Sequence, residues 1–202
     1  MNIYTLDFET FYDTKDKYSL SAKEMNTSGY VRDQRFHIHC CAIKKDDGPS
    51  VVLRGKELAR KLKSIKWAES ALLCHNTAFD GFILSHHFGI MPAFYYDTLS
   101  MTRGLHNEVS RARLNDIAKF YGIGAKHEGA LENTNGKREL SVSEYETLAA
   151  YCANDNDLCK AVFDKQREVY PEDELKPIDL TIRMFCRPLL KVDIPTAERG
   201  LN

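Results

Sequence analysis

Residues 2–10 (NIYTLDFET) form a β-prone run that ends in two acids separated by one residue. Side chains alternate across a strand, so Tyr4, Leu6 and Phe8 fall on one face and Ile3, Thr5, Asp7 and Glu9 on the other. At about 3.3 Å per residue the two carboxylates start roughly 6.5 Å apart. That spacing suits oxygen ligands around a pair of divalent ions about 3.5–4 Å apart. Asp-x-Glu taken alone equally describes a strand running out into a polar loop.

The pattern then changes. Residues 11–36 are polar with scattered turn residues and predict a long excursion with little regular structure, a feature often functional in a compact domain. Two β-like segments, 37–44 and 50–53, flank Asp46-Asp47-Gly48, a good hairpin turn. Leu58, Ala59, Leu62, Ile65 and Ala68 recur at helical spacing and predict a helix over 56–67 with a lysine-rich outer face, ordinarily a solvated one. Residues 70–75 (SALLCH) read as a buried strand leading into a helix that runs through Gly81 to Phe88 and is closed by Gly89. A short strand over 94–96, a helix over 98–105 begun by Asp97 and a short helix through Leu114, Ile117, Ala118 and Tyr121 follow. Residues 124–138 are loop-like. Ser141-Val-Ser-Glu144 is a capping box that opens a helix to about residue 169, ahead of Pro171. A further helix over 175–186 and an extended segment over 188–194 complete the chain. Strands first and helices interleaved later predict an α/β fold, a mixed sheet with helices packed on it.

The long helix carries the second acidic signal. Tyr145, Leu148, Cys152, Cys159, Val162 and Phe163 trace its apolar stripe, and Asp155 falls within that stripe. A carboxylate placed there is costly unless paired or metal-bound. Tyr151 stands four residues earlier and is a neighbour on the same face, whereas Asp157 turns away. A third acid, Asp80, lies just inside the helix after the 70–75 strand, where a carboxylate also serves the helix dipole.

Composition narrows the setting. The formal net charge is 28 − 29 = −1, so any contact with a polyanion must be local or assisted by cations. No basic-then-apolar leader opens the chain and no apolar run approaches the roughly 18 residues that span a bilayer. The six cysteines form no C-x-x-C pair and read as reduced core residues, which together with the missing leader predicts a cytoplasmic protein.

Asp7-Phe-Glu9-Thr10, His75-Asn-Thr-Ala-Phe-Asp80 and Tyr151-Cys-Ala-Asn-Asp155 together resemble the three motifs of the DnaQ-like (DEDD) 3′→5′ exonucleases, tyrosine subclass. Within that group, Gly29-Tyr30, Arg35-Phe36, HNTAFDGFIL and Asp97-Thr98 are similar to the proofreading domain of phage-type family A DNA polymerases. The resemblance covers roughly residues 1–170 and implies a ribonuclease-H-like fold with two divalent ions. It implies that Asp7 bridges both ions, that Glu9 and Asp155 complete the site of the attacking water, and that Asp80 serves the second ion. Thr10 and the Phe8 backbone would hold the 3′-terminal nucleotide, and Asn76 would lie near the substrate backbone.

The implied substrate is a single-stranded DNA 3′ end and the implied product a nucleoside monophosphate. Magnesium or manganese suits oxygen ligands, while zinc would want His or Cys, and these motifs are read as offering neither. His37 and His39 share a strand face but read as packed or surface residues. Residues 171–202 resemble a connection into a polymerase domain, which would place the chain in the host cytoplasm if phage-encoded. Two other readings stand beside this one: a stand-alone exoribonuclease similar to ribonuclease D, and a catalytically silent nucleic-acid-binding module of the same fold.

Overall fold

Strand β1 (Asn2–Thr10) is the middle of the sheet. The computed structural model describes residues 1–106, 112–126, 129 and 131–200. Around β1 stand β2 (Ile38–Lys45), β3 (Val51–Leu53), β4 (Ser70–Cys74) and β5 (Phe94–Asp97), in the order β3-β2-β1-β4-β5. β2 runs antiparallel to β1 and to β3, whereas β4 is parallel to β1 and to β5. The sheet is therefore mixed and helix-flanked, the ribonuclease-H-like α/β arrangement.

Among the described residues eight α-helices accompany it: α1 (Thr27–Arg32), α2 (Gly55–Ser64), α3 (Thr77–Phe88), α4 (Thr98–Leu105), α5 (Leu114–Phe120), α6 (Val142–Arg167), α7 (Leu175–Cys186) and α8 (Ile194–Arg199). The period-two alternation of β1 decides what each face meets. Tyr4, Leu6 and Phe8 are buried in the larger core, where Phe8 stacks on Phe88 of α3 with ring centroids 6.2 Å apart. Asp7 and Glu9 stand opposite Ala42 and Cys40 in register, and those two β2 residues pack with Leu148 and Cys152 of α6. The acid face of β1 is thus the α6 face. α7 packs on α3 and β5.

Several elements differ from the sequence expectation. The helix expected over 56–67 stops at Ser64, where Ile65 turns extended, and Trp67–Glu69 form a separate 3-10 turn. Residues 11–36 contain α1, capped by the Asn26 side chain on the Gly29 amide at 2.8 Å. A helix of six residues is too short to show a period, which is why the sequence reads as loop there. The excursion is also packed. Tyr18 stacks between Phe11 and Tyr30 at 5.8 and 4.5 Å, and the Tyr30 hydroxyl donates to the Phe11 carbonyl at 2.5 Å. Residues 188–193 carry no regular structure and lead into α8. Within the loop expected over 124–138, residues 127, 128 and 130 lie outside the described residues. Among the described residues no helix is long and apolar enough to cross a membrane.

Candidate active site

The carboxyl ends of the parallel strands β1, β4 and β5 open onto one place, where open α/β sheets ordinarily bind ligands. β1 brings Asp7, Glu9 and Thr10 there; the turn after β4 brings Asn76 and the first turn of α3 brings Asp80; α6 brings Tyr151 and Asp155.

Each acid has a distinct support. Asp80 is buried, and its Oδ1 accepts from the Phe8 amide at 3.0 Å, so the strand carrying Asp7 also orients the acid on α3. The Phe8 amide is thereby committed to Asp80. Asp155 is only 3% exposed and pairs with the Lys126 ammonium. Asp157, two residues on, faces outward at 53% side-chain exposure and binds Lys44 and Ser50 at 2.8 Å. This is the division expected from the helical stripe. Asp7 and Glu9 offer carboxylate oxygens that lie with the Cys152 sulfur in a group whose atoms are all within 4.8 Å. The buried Asp7 Oδ2 accepts no hydrogen bond from the protein.

The start of α3 is set by Asp97. Its Oδ1 accepts from the Asn76 and Thr77 amides at 2.8 and 3.0 Å, while its Oδ2 accepts from the Ser100 amide at 3.1 Å. One carboxylate caps both α3 and α4, and Asp97 is the N-cap of α4 that its position predicts. Asn76 adopts a left-handed backbone (φ 75°) and its side chain makes no capping bond. Asn tolerates that conformation better than most residues, and the sharp turn carries the chain from β4 directly into α3. Thr10 shares a hydrogen bond of 2.8 Å with the Tyr30 hydroxyl. His75 is held by Thr98 and the Ala112 carbonyl at 2.8 and 2.9 Å.

The electrostatics follow from crowding acids out of water. Burial first, and then the Asp155 charge, push the Asp7 carboxyl up to about 7. Glu9 is raised by burial and by Asp7, and Asp80 by burial and by Asp7. Asp7 is the common neighbour of the cluster, repelling and repelled by the others. Burial also raises the Tyr151 phenol, against the lowering influence of Lys126, so the group stays protonated at neutral pH. Burial opposes charge on Lys126, but Asp155 and Tyr151 outweigh it and hold the amine protonated.

Repelling carboxylates, one with an oxygen that no protein donor satisfies, form a set that fits a hard divalent cation such as magnesium or manganese. The expectation that the motifs offer neither His nor Cys needs correction: His75 opens the second motif, with both ring nitrogens engaged by Thr98 and the Ala112 carbonyl, and Cys152 belongs to the third, where its thiol lies beside Asp7 and Glu9. Its sulfur donates to the Asp7 carbonyl at 3.2 Å, and contact with Cys40 together with burial pushes its pKa well up. A hard ion such as magnesium prefers oxygen to sulfur, so the carboxylates remain the ligands that suit it.

Lys126 also escaped the sequence reading. It sits in the glycine-containing loop between α5 and α6, where one lysine among several carries no periodic signal.

No family model matches the chain, and no curated protein matches it. Solved structures do. A nuclease described in its apo form superposes with a TM-score of 0.63 at 19% identity, covering 91% of this chain and 81% of its own. Brucella melitensis NrnC bound to pGG gives 0.56 at 18% identity, with the same coverage of 91% and 81%. Escherichia coli RNase D, described as an exoribonuclease involved in structured RNA processing, gives 0.58 at 12% identity over 93% of this chain and 46% of that one. The chain has the fold of these nucleases.

Proposed function

We propose that the protein is a 3′→5′ exonuclease that hydrolyses the terminal phosphodiester of a single strand and releases nucleoside monophosphates. The observation that carries the reading is the convergence of Asp7, Glu9, Asp80 and Asp155 at one end of the sheet, with Tyr151 beside them and the Asp7 Oδ2 unmatched by any protein donor. On this reading the four acids are the ligands of two divalent ions, magnesium or manganese. Such ions, when bound, supply the charge that offsets the phosphate and lower the pKa of the attacking water.

The chain's own groups then have separable tasks. Asp7, the neighbour common to the other acids, would hold the metal together with them. The Phe8 amide fixes the rotamer of Asp80. The Tyr151 hydroxyl, protonated and one helical turn from Asp155, orients the attacking water by hydrogen bonding and does not act as its base. Thr10, pinned to the packed excursion through Tyr30, and Asn76 at the mouth of α3 position the terminal nucleotide and its backbone.

We assign DNA as the substrate and the role as that of a proofreading domain, most similar to those of phage-type family A polymerases. Residues 171–202 would then connect to a polymerase domain. The support is a set of matching segments: Gly29-Tyr30, Arg35-Phe36 and Asp97-Thr98 outside the three motifs, and HNTAFDGFIL, which extends the second. A family B DNA polymerase from Pyrobaculum calidifontis also superposes, at a TM-score of 0.58 and 13% identity, over 27% of its chain. Six buried, free cysteines suit a reducing, cytoplasmic setting. An exoribonuclease reading is favoured by the likeness to Escherichia coli RNase D, which superposes over 93% of this chain.

The test uses 5′-labelled single strands of DNA and RNA of one sequence, with magnesium and then with chelator. Stepwise shortening from the 3′ end, stopped by chelator and restored by magnesium or manganese, is expected. Faster loss of the DNA supports the proofreading assignment and faster loss of the RNA the alternative. Linear fragments from a circular single strand, or no cleavage of either strand, overturn the reading.

A further inference from the structure

We propose that Lys126 is a tethered counter-cation of the carboxylate cluster: it holds the place of a divalent ion in the metal-free protein and sets how tightly the ion binds. The inference rests on the reading of the four acids as a metal centre. Its own evidence is the position of one amine.

The Lys126 ammonium forms an ion pair with Asp155 and donates to the Tyr151 hydroxyl at 2.9 Å. Its nitrogen also stands 5.1 Å from the centre of the Tyr151 ring. The backbone is anchored separately, by a hydrogen bond of 2.9 Å from the Lys126 amide to the Asn115 side chain at the start of α5. The charge is felt beyond its two contacts, for it lowers the proton affinity of both Asp7 and Glu9. A single positive charge therefore serves at least three acids that otherwise repel one another.

That arrangement opposes a divalent ion on the same carboxylate, whose Oδ2 the amine already holds. Magnesium draws its oxygen ligands to about 2.0–2.1 Å and brings two positive charges. An ammonium left on Asp155 would stand against it as a like charge. The two cations compete for one acid, and linkage requires that what the lysine contributes to the metal-free site is lost from the metal affinity.

Lys126 is built to yield. Its side chain is 29% exposed while Asp155 is buried, and a lysine stem is long and flexible. The Tyr151 hydroxyl gives the displaced amine a second partner close by. An arginine would lock its planar fork to the carboxylate and leave less readily.

The experiment measures metal binding and stability without substrate. In Lys126→Met the stem is kept and the charge removed. Calorimetric titration with manganese should show affinity about tenfold tighter than in the parent. The metal-free melting temperature should fall, and saturating manganese should bring the two proteins together. Lys126→Arg keeps the charge and should bind manganese no more tightly than the parent. A measurement on the parent alone stands beside the variants: with lysine side chains carbon-labelled, magnesium should shift the Lys126 resonance in step with binding.

A parent that binds manganese while Lys126→Met binds no more tightly overturns the counter-cation and leaves the metal centre standing. So does a Lys126 resonance that magnesium leaves unmoved while it binds. If neither protein binds either metal, the metal centre and the inference fall together.

Discussion

The amide of Phe8 donates to Asp80 Oδ1 at 3.0 Å, so the residue between the two acids of β1 fixes the acid contributed by α3. This bond separates two tasks of one carboxylate. Asp80→Asn keeps an acceptor for the Phe8 amide and removes the charge. Asp80→Ala removes both and leaves a buried donor unpaired, at a cost of about 1–3 kcal/mol. We expect both variants to lose activity by at least about a hundredfold, with the Asn variant the more stable by that margin. Urea denaturation of the two proteins without metal checks it; equal stability would mean the Phe8 amide finds another partner.

Asp7 is raised to about 7 by burial and by Asp155, the mark of a group whose ionised form costs the fold. Asp7→Ala should abolish cleavage and leave metal-free stability unchanged or increased. Magnesium should raise the melting temperature of the parent and not of the variant. A variant that fails to fold would make Asp7 a structural residue.

The same shift sets a pH dependence, and its sign is definite. The Asp7 carboxyl is raised in the folded state, so it favours folding while protonated, and that contribution is lost as pH rises from about 4 to about 7. Metal binding must expel this proton. Affinity for manganese should therefore increase as pH rises from about 5.5 through about 7, with proton release detectable in buffers of different ionisation enthalpy. Affinity that is flat across this range would mean Asp7 is already ionised in the metal-free protein.

Tyr151 accepts from Lys126 at 2.9 Å and keeps its own proton. Tyr151→Phe retains the ring and removes the hydroxyl alone. We expect a loss of about ten- to a thousandfold in turnover, with metal dependence intact. Asp155→Asn should be far more damaging because it strips charge from the centre. Rates at saturating magnesium compare the two; equal losses would put Tyr151 among the ligands or make it the base, and no loss would return it to the core.

What the sequence disclosed, it disclosed through periodicity. Asp7 and Glu9 are legible because a strand alternates, and Asp155 because a charge in an apolar helical stripe demands a reason. The α6 capping box and the Asp97 cap are local patterns and are present as read. Asp80 is ambiguous alone, since its partner is the Phe8 amide 72 residues away. Lys126 and the Cys152 thiol were missed for the same reason: each acts through neighbours that only folding supplies. The packing of Tyr18 between Phe11 and Tyr30 is likewise a contact between irregular segments, to which no period points.

The Cys152 sulfur meets the Asp7 carbonyl across 145 residues of chain. During synthesis the first strand leaves the ribosome long before α6 exists. Until that helix docks, the nascent protein holds the acids of β1 and α3 without Asp155, Tyr151 or the wall that buries them. The four acids are therefore not assembled until α6 docks, and a chain cut short before α6 is expected to cleave nothing.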